Sequence, residues 1–255
     1  MGTTIKAIGF IPARLHSTRL ERKLLLDLCG KPVLQRTWEG AKTSKILQSL
    51  IVATDSEEIA ELCQKIGADY ILTPKDFTSG TDRVIWAYER LGLESDFVVN
   101  IQGDEPFIEG EVIDKLIIEL NLTDAGVSTL ISKINDNKEI FDPSVVKVVC
   151  SVDCKALYFS RSPIPFLRDI EKDVWYKNYS FYKHIGIYCF RRYTLETFSK
   201  LPQGELEIAE KLEQLRLLEN GIGIHCIEID REMIGIDTSE DLVKATKLLC
   251  PSSEK

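Results

Sequence analysis

The sequence lacks the features that mark a membrane protein, a nucleic-acid-binding protein or a cysteine-based metal site. No apolar stretch approaches the length of a membrane span, and the N-terminus shows no signal-peptide pattern. Acidic residues outnumber basic ones by 40 to 32, and the resulting net charge of -8 argues against a surface for nucleic acid or anionic lipid. The seven cysteines have no metal-ligand spacing, and the closest pair, Cys150 and Cys154, has no histidine beside it. We therefore expect reduced, buried thiols in a cytoplasmic protein.

The order of apolar and polar segments predicts an α/β fold. Apolar strands alternate with amphipathic helices through about residue 120, which is typical of parallel strands joined by crossover helices. From residue 145 the segments become strand-rich, at 145–152, 156–160 and 185–190. Residues 161–183 read as a loop-like insertion that covers the cleft or forms a subunit contact. We predict one α/β domain over 1–255, with a mostly parallel central sheet flanked by helices and a strand-rich insertion at 145–205.

The most informative stretch is residues 97–106, in which apolar, largely β-branched residues lead into Asp104, Glu105 and Pro106. This pattern predicts a strand that is buried on both faces and ends where the chain turns. Ligands of open α/β sheets bind just beyond the carboxyl ends of the strands, so we expect Asp104 at the edge of a cleft. A carboxylate there suits Mg²⁺ and hence a phosphate-bearing substrate. The alternative is that Asp104 and Glu105 only solvate the end of a core strand.

A basic loop follows the first predicted strand, which runs from Ile5 to Ile11 and is closed by Pro12. The loop contains four permanent cations within ten residues, which is unusual for an acidic chain; they are Arg14, Arg19, Arg22 and Lys23. Guanidinium and ammonium groups match phosphate oxygens, so the loop is a candidate for polyphosphate binding. Its residue types exclude a Walker A or GxGxxG sequence. A solvated basic loop is the alternative.

Three further polar sites have both a structural and a functional interpretation. Asp55 with Glu58 resembles a capping box, and Asp237 precedes a predicted last helix at 239–249, so helix capping is the simpler role for Asp55 and Asp237. Asp237 is alternatively a second carboxylate for the metal. The turn 78–83 either caps the next helix or contacts a base or ribose.

Residues 206–219 are predicted to form one helix with two distinct sides. One side carries Ile208, Leu212 and Leu215, and the other carries Glu207, Glu210, Glu213 and Gln214. The acidic side is either an ordinary solvated face or, if the helix borders the cleft, a set of groups that holds sugar hydroxyls.

Several separated motifs occur in a fixed order along the chain. They are Ile11-Pro12-Ala13-Arg14, Ser17-Thr18-Arg19, Ser79-Gly80-Thr81-Asp82-Arg83, Gln102-Gly103-Asp104-Glu105-Pro106, Ala156-Leu157-Tyr158-Phe159-Ser160-Arg161, His184-Ile185-Gly186-Ile187-Tyr188, Leu212-Glu213-Gln214-Leu215-Arg216 and Gly235-Ile236-Asp237-Thr238. As an ordered set they closely resemble the 3-deoxy-manno-octulosonate (Kdo) cytidylyltransferases, also called CMP-Kdo synthetases. The likeness runs nearly from end to end of the sequence.

The resemblance implies a nucleotide-diphospho-sugar transferase fold and a cytoplasmic homodimer. It also implies Mg²⁺-dependent transfer of CMP from CTP to the anomeric hydroxyl of Kdo, with release of pyrophosphate, for lipopolysaccharide biosynthesis. Residues 1–125 would form the nucleotide-binding half, and 145–205 the sugar-binding or dimerisation insertion. Neither a nucleic acid nor a membrane is an expected partner.

The resemblance further implies a role for each matching residue. The triphosphate would be held by Arg14, Arg19 and Lys23, and Mg²⁺ by Asp104 and Asp237, while the nucleotide pocket would contain Ser79, Arg83 and Gln102. The sugar acid would face Arg161, Arg168, His184, Tyr188, Glu213 and Gln214. Catalysis would rest on Asp104, Lys23, Arg14 and Asp237, with Asp104 also a candidate acceptor of the sugar proton.

One departure from the family pattern lies in the basic loop. Where the family has Pro-Gly-Lys-Pro, this chain reads Glu21-Arg22-Lys23-Leu24, so the lysine is kept and the conformationally free glycine is replaced. Two alternatives stay open at this point. One is the same transfer to 8-amino-Kdo or another acidic sugar such as a sialic acid, and the other is a nucleotide-binding regulator without catalysis.

Overall fold

The computed structural model describes residues 5–17, 19–77 and 79–250. Thr18 of the Ser17-Thr18-Arg19 motif and Thr78 of the turn 78–83 lie outside these residues. The chain forms two compact units. The first contains the described residues up to Lys115 and those from Glu232 onward, and the second is Leu116–Arg231.

The elements follow one another in α/β order. Up to residue 121 they are β1 Ala7–Ala13, β2 Asp27–Leu28, β3 Lys31–Pro32, α1 Val33–Ala41, β4 Leu47–Thr54, α2 Glu57–Ile66, β5 Asp69–Leu72, α3 Gly80–Leu91, β6 Phe97–Asn100 and α4 Gly110–Asn121. They continue as β7 Val127–Lys133, α5 Asn137–Phe141, β8 Lys147–Cys150, β9 Ala156–Ser160, α6 Trp175–Asn178, β10 Tyr182–Arg191, α7 Arg192–Phe198, α8 Glu205–Glu210, α9 Gln214–Glu219, β11 Ile224–Glu228 and α10 Ser239–Leu249.

The first unit is built on parallel strands in the order β6-β1-β4-β5. Every residue of β1 and β6 is buried, as the apolar runs in the sequence predict. The predicted end of the first strand before Pro12 is wrong, because β1 continues to Ala13. Ile101 donates its N–H to the carbonyl of Phe10 (2.9 Å), so the backbone polar groups of alternate β1 residues, including Pro12, point toward β6. The pairing of β1 with β6 ends at Phe10. The missing N–H of Pro12 therefore interrupts no ladder on that side.

The helix starts correct two sequence interpretations. Ser56, not Asp55, caps α2, since its hydroxyl accepts the N–H of Ile59. Thr238, not Asp237, caps α10, in a capping box with Asp241. In both cases a better cap stands one residue later, so the carboxylates of Asp55 and Asp237 are available for other contacts.

The second unit carries a mixed arrangement of strands. β7 pairs in parallel with β11 and antiparallel with β10, while β8 pairs antiparallel with β10 and β9. The predicted fold class, an α/β fold with a mostly parallel sheet flanked by helices and a strand-rich segment, is confirmed. All seven cysteines are free thiols; the expectation that they are buried is wrong for Cys154 and Cys250, which are exposed.

The segment 161–183 is more structured than the predicted loop. It contains α6, whose Trp175 is buried with Phe181, Ile134 and Ile140 in a small hydrophobic cluster. The rings of Trp175 and Phe181 stack with centroids 5.9 Å apart, and the indole N–H donates to the carbonyl of Ile170 (3.0 Å). Aromatic burial therefore fixes a segment that was predicted to be a loop-like insertion.

The single helix predicted over 206–219 is wrong. The chain breaks at Lys211, which has a positive φ of 53°, and forms the two short helices α8 and α9. The carboxylate of Glu219 accepts the N–H groups of Leu206 and Glu207, so the end of α9 caps the start of α8. The predicted sides are also reversed in part, because Glu207 is buried and Ile208 is 60% exposed.

Lys147 is a fully buried cation, and its stability effect should depend on pH. Its ammonium donates to the carbonyls of Asp142 (2.8 Å) and Val145 (2.6 Å), and burial lowers its pKa to about 8 from the ordinary 10.5. The unfolded chain therefore binds this proton more tightly than the folded chain. The unfolding free energy of the wild type relative to Lys147→Met should be constant below pH 8 and rise between pH 8 and 10.5. Urea denaturation of both proteins across this range measures it; a difference that falls with pH would contradict the burial of the charge.

Candidate functional site

The basic loop and two distant carboxylates meet at one lysine. Lys23 Nζ contacts Asp104 Oδ2 and lies 2.9 Å from Asp237 Oδ1. An Arg19 guanidinium nitrogen lies 2.9 Å from the other carboxylate oxygen, Asp237 Oδ2. The main chain supports this arrangement, because Ile236 donates its N–H to the carbonyl of Asp104 (2.9 Å). The structure thus brings together the two carboxylates predicted to share a cation.

Burial and charge act in opposite directions on Lys23. Its side chain is only 15% exposed, and burial by itself lowers the pKa of the ammonium. The carboxylates of Asp104 and then Asp237 outweigh that effect, so the pKa of Lys23 is raised overall. Lys23 therefore carries a positive charge at the carboxylate pair at neutral pH.

The donor set at this position fits Mg²⁺. Two carboxylates face one place already occupied by a cation, and carboxylate oxygens are the ligands that Mg²⁺ takes in proteins. Within residues 5–17, 19–77 and 79–250 there is no cluster of three or more His, Cys, Asp or Glu side chains that could hold a metal. A pair is nevertheless sufficient, since Mg²⁺ usually binds one or two carboxylates together with substrate phosphates and water.

Arg22 has a left-handed backbone conformation of the kind that glycine adopts most readily. It has a φ of 54° and a ψ of 28° and lies directly before the turn of 3₁₀-helix Lys23–Leu25. Its guanidinium pairs with Glu58 of α2. Arg22 thus has a left-handed backbone conformation, which favours glycine, and its side chain forms an ion pair with α2.

This conformation predicts an unusual order of stability at position 22. The free energy of unfolding of Arg22→Gly should be about 1 kcal/mol higher than that of Arg22→Ala. Both variants lose the ion pair with Glu58, but only alanine is strained at positive φ. The matched control is Glu61, an exposed residue within α2. There the free energy of unfolding should be about 1 kcal/mol higher for Glu61→Ala than for Glu61→Gly. Urea denaturation of the four variants measures both differences. If alanine is as stable as glycine at position 22, the left-handed conformation is wrong.

Four residues predicted to bind the nucleotide line one cavity in the first unit. The cavity has a volume of about 110 Å³, and its lining residues are Pro12, Ala13, Arg14, Phe77, Ser79, Gly80, Arg83 and Gln102. Ser79 also caps α3, accepting the N–H of Asp82 (3.1 Å), so its two proposed roles are compatible. One cavity is therefore lined by four of the residues predicted to bind the nucleotide, namely Arg14, Ser79, Arg83 and Gln102.

Buried polar residues that the sequence interpretation missed hold this cavity in shape. The Gln102 amide donates to Asn100 Oδ1 (3.3 Å), and the Asn100 amide donates to Thr81 Oγ1 (3.0 Å). Arg83 is buried and donates to Asp55 Oδ2 (2.7 Å). Asp55 is thus a positioning residue for Arg83 rather than a helix cap. The available signal was Asn100 itself, a polar residue at the end of an otherwise apolar strand.

Four of the predicted sugar-binding residues lie close together in the second unit. The rings of His184 and Tyr188 have centroids 5.4 Å apart, and Gln214 follows Glu213 in the chain. Tyr188 is buried, and burial, followed by the charge of Glu213, raises the pKa of its hydroxyl. Among the residues described by the structure, the buried Nε2 of Gln214 has no hydrogen-bond partner. A buried amide of this kind is suited to a polar ligand.

His184 is neutral in this setting. Burial lowers its pKa to about 3, and its Nε2 lies 2.9 Å from the hydroxyl of Thr129. At neutral pH it can therefore take part in hydrogen bonding without carrying a charge.

The two arginines predicted to bind the sugar have other surroundings. Arg161 donates from its guanidinium to the carbonyls of Glu210 (2.8 Å) and Pro143 (3.0 Å), which fixes the turn between α8 and α9. Arg168 has a side chain that is 89% exposed and pairs with Asp169 at 3.4 Å. Neither contact involves the group around Tyr188.

Comparison with known proteins identifies the chain as a cytidylyltransferase. A family model described as cytidylyltransferase matches residues 8–229, which is most of the chain. A 3-deoxy-manno-octulosonate cytidylyltransferase of Chloroherpeton thalassium is 44% identical over 249 residues, covering 96% of this chain and 98% of that protein. One of Geobacter sulfurreducens is 43% identical, covering 94% and 98%. The chain belongs to the 3-deoxy-manno-octulosonate cytidylyltransferase family.

A solved structure supports the same relationship. CMP:2-keto-3-deoxy-manno-octonic acid synthetase, complexed with CTP, superposes with a TM-score of 0.88 and 38% identity, covering 96% of this chain and 99% of that chain. A putative glucose-1-phosphate thymidylyltransferase from Bacillus anthracis, 19% identical with a TM-score of 0.66 over 95% and 94% of the two chains, shows the fold alone. No helix in the described ranges is both long enough and apolar enough to cross a membrane.

Proposed function

We propose that this protein transfers CMP from CTP to the anomeric hydroxyl of Kdo and releases pyrophosphate, for lipopolysaccharide biosynthesis. The observation that carries the proposal is the convergence of Asp104 and Asp237 on one cation position in a member of this family. The transfer needs little covalent chemistry from a protein, because the α-phosphorus is attacked in line and the site supplies position and charge.

The first unit supplies the nucleotide-binding half of the proposal. Arg14, Arg19 and Lys23 bind the triphosphate and offset charge on the departing pyrophosphate. Ser79, Arg83 and Gln102 contact the nucleoside from the cavity that they line with Arg14. Their rigid support by Asp55, Asn100 and Thr81 favours one orientation of the nucleotide.

Asp104 and Asp237 are the residues that hold Mg²⁺ in this proposal. When bound, Mg²⁺ neutralises phosphate oxygens and lowers the pKa of a nearby hydroxyl. Asp104 accepts the proton of the attacking sugar hydroxyl. The same geometry supports the metal-binding role of both aspartates, because each contacts the Lys23 ammonium.

The sugar acid is held by residues of the second unit. Tyr188, Glu213, Gln214 and neutral His184 contact its hydroxyl groups, and the buried amide of Gln214 supports this role. Exposed Arg168 pairs with its carboxylate, and Arg161 contributes by ordering the turn before Glu213. In this proposal the segment 145–205 contributes to sugar binding and to dimer formation.

Pyrophosphate release tests the reaction directly. Protein, CTP and Mg²⁺ are mixed with Kdo, 8-amino-Kdo or a sialic acid, and pyrophosphate is measured with a coupled assay. The fastest release with Kdo supports the proposal, and faster release with 8-amino-Kdo or a sialic acid assigns one of those acceptors instead. If no acceptor yields pyrophosphate although CTP binds, the protein is a nucleotide-binding regulator.

We also propose a homodimer that works in the cytoplasm. Apolar side chains of the second unit that are exposed in the single chain, such as Leu157 on β9 and Ile208 on α8, support a contact between copies. Light scattering should give twice the mass of one chain. Leu157→Lys should shift the mass toward that of one chain, and an unchanged mass would exclude Leu157 from the contact.

A further inference from the structure

The cation position between the two carboxylates is filled by a part of the chain itself. Lys23 Nζ contacts Asp104 Oδ2 and lies 2.9 Å from Asp237 Oδ1, and the side chain is largely buried. Arg19 occupies the remaining oxygen of the same carboxylate, Asp237 Oδ2, at 2.9 Å. Both oxygens of Asp237 are therefore engaged by cations that belong to the basic loop.

An ammonium and a divalent cation cannot occupy this position together. Both bind the oxygens of Asp104 and Asp237. Because Lys23 is part of the same chain, it competes with the divalent cation at a high effective concentration. A triphosphate offers Lys23 and Arg19 an alternative set of anionic oxygens. Departure of these two side chains to a triphosphate would leave the carboxylates available to a metal.

We propose that Lys23, assisted by Arg19, is an internal counter-cation that exchanges between the carboxylate pair and the triphosphate. The divalent metal then binds Asp104 and Asp237 weakly in the absence of nucleotide and strongly once the nucleotide has taken the basic side chains. Metal and nucleotide binding are consequently coupled in the favourable direction, and by linkage each strengthens the other. The identity of the nucleotide in this scheme rests on the proposed function, whereas the competition between lysine and metal does not.

Binding of Mn²⁺ without nucleotide or sugar tests the competition. Free Mn²⁺ is titrated against wild type and Lys23→Met and followed by electron paramagnetic resonance. Lys23→Met should bind Mn²⁺ about tenfold more tightly than wild type, a typical size for a coupling between two ligands. Adding Asp104→Asn to Lys23→Met should abolish the gain, which locates the metal at the carboxylate pair.

A matched control and a second variant keep the test decisive. Lys31→Met removes another lysine that pairs with a carboxylate, Glu39 at 2.6 Å, and should leave Mn²⁺ affinity unchanged. Arg19→Gln frees Asp237 Oδ2 alone and should give a smaller gain than Lys23→Met. If Lys23→Met is poorly folded without metal, a rise of its thermal midpoint with Mn²⁺ that exceeds the rise for wild type supports the same conclusion.

Equal Mn²⁺ affinity of folded wild type and Lys23→Met would overturn the proposal. Tight Mn²⁺ binding by the wild type in the absence of nucleotide would also overturn it. Because the titration contains neither CTP nor Kdo, these outcomes are independent of the pyrophosphate assay. Pyrophosphate release without competition would refute only the exchange of Lys23, and competition without pyrophosphate release would refute only the proposed reaction.

Discussion

Replacing Asp104 by Asn is expected to leave a folded protein whose turnover is lower by about 10²- to 10³-fold or more, the size of effect that follows when one group that stabilises the transition state electrostatically is removed. Asparagine has nearly the same shape but cannot perform the two roles proposed for Asp104, which are to bind Mg²⁺ as a carboxylate and to accept the sugar proton. The fold should persist because the main-chain carbonyl of Asp104, which binds the N–H of Ile236 at 2.9 Å, is unchanged. Pyrophosphate release gives the turnover, and circular dichroism melting gives the state of folding.

The control for this variant is Asp153→Asn, which makes the same change at an exposed turn residue of the second unit. It should retain the turnover of the wild type. Near-normal turnover of folded Asp104→Asn would refute the assignment of Asp104 to metal binding and proton transfer. Loss of folding would instead show that the contact with Lys23 is needed for stability.

Replacing Arg216 by Met should lower the free energy of unfolding by about 3–5 kcal/mol, because it leaves the carboxylate of Glu207 buried without its counter-charge. Arg216 donates from Nε to Glu207 Oε2 (2.7 Å) and from a terminal nitrogen to Glu207 Oε1 (2.6 Å). Both residues are buried, and the guanidinium also lies 4.3 Å from the ring centroid of Phe198. Urea denaturation measures the loss.

A surface ion pair in the same unit provides the matched control. Arg192 lies 3.6 Å from Glu196 on the exposed side of α7, so Arg192→Met should cost less than about 1 kcal/mol. Changing both buried partners, as Glu207→Leu with Arg216→Met, should recover part of the loss, since no unpaired charge remains. Equal losses for Arg216→Met and Arg192→Met would contradict the burial of the pair between α8 and α9.

The parts of the fold that sequence predicts best are those set by local patterns. The apolar run before Asp104 gives a wholly buried strand, and α10 has the predicted bounds of 239–249. Periodicity fails at residues 206–219, where an apolar spacing suited to one helix coexists with a break at Lys211. The contacts responsible, from Arg216 to Glu207 and from Glu219 to the start of α8, join residues that a single helix would separate.

The candidate site shows the same division. Acidic residues next to helix starts look like caps from sequence alone, yet Asp55 binds Arg83 and Asp237 binds Lys23, because Ser56 and Thr238 take the capping roles. Ordered motifs select residues that line the cavity of the first unit, but they carry no information about what each side chain touches. The position of Lys23 between two carboxylates and the support of Gln102 by Asn100 depend on tertiary contacts.

The ion pair between Lys23 and Asp237 has a consequence for synthesis on the ribosome. Lys23 and Asp237 are separated by 214 positions, so the parallel strands of the first unit emerge long before the second aspartate does. A nascent chain that has reached β11 already has Lys23 and Asp104, yet it has only half of the anionic pair. The arrangement of two carboxylates around Lys23 is therefore incomplete until Asp237 has been synthesised.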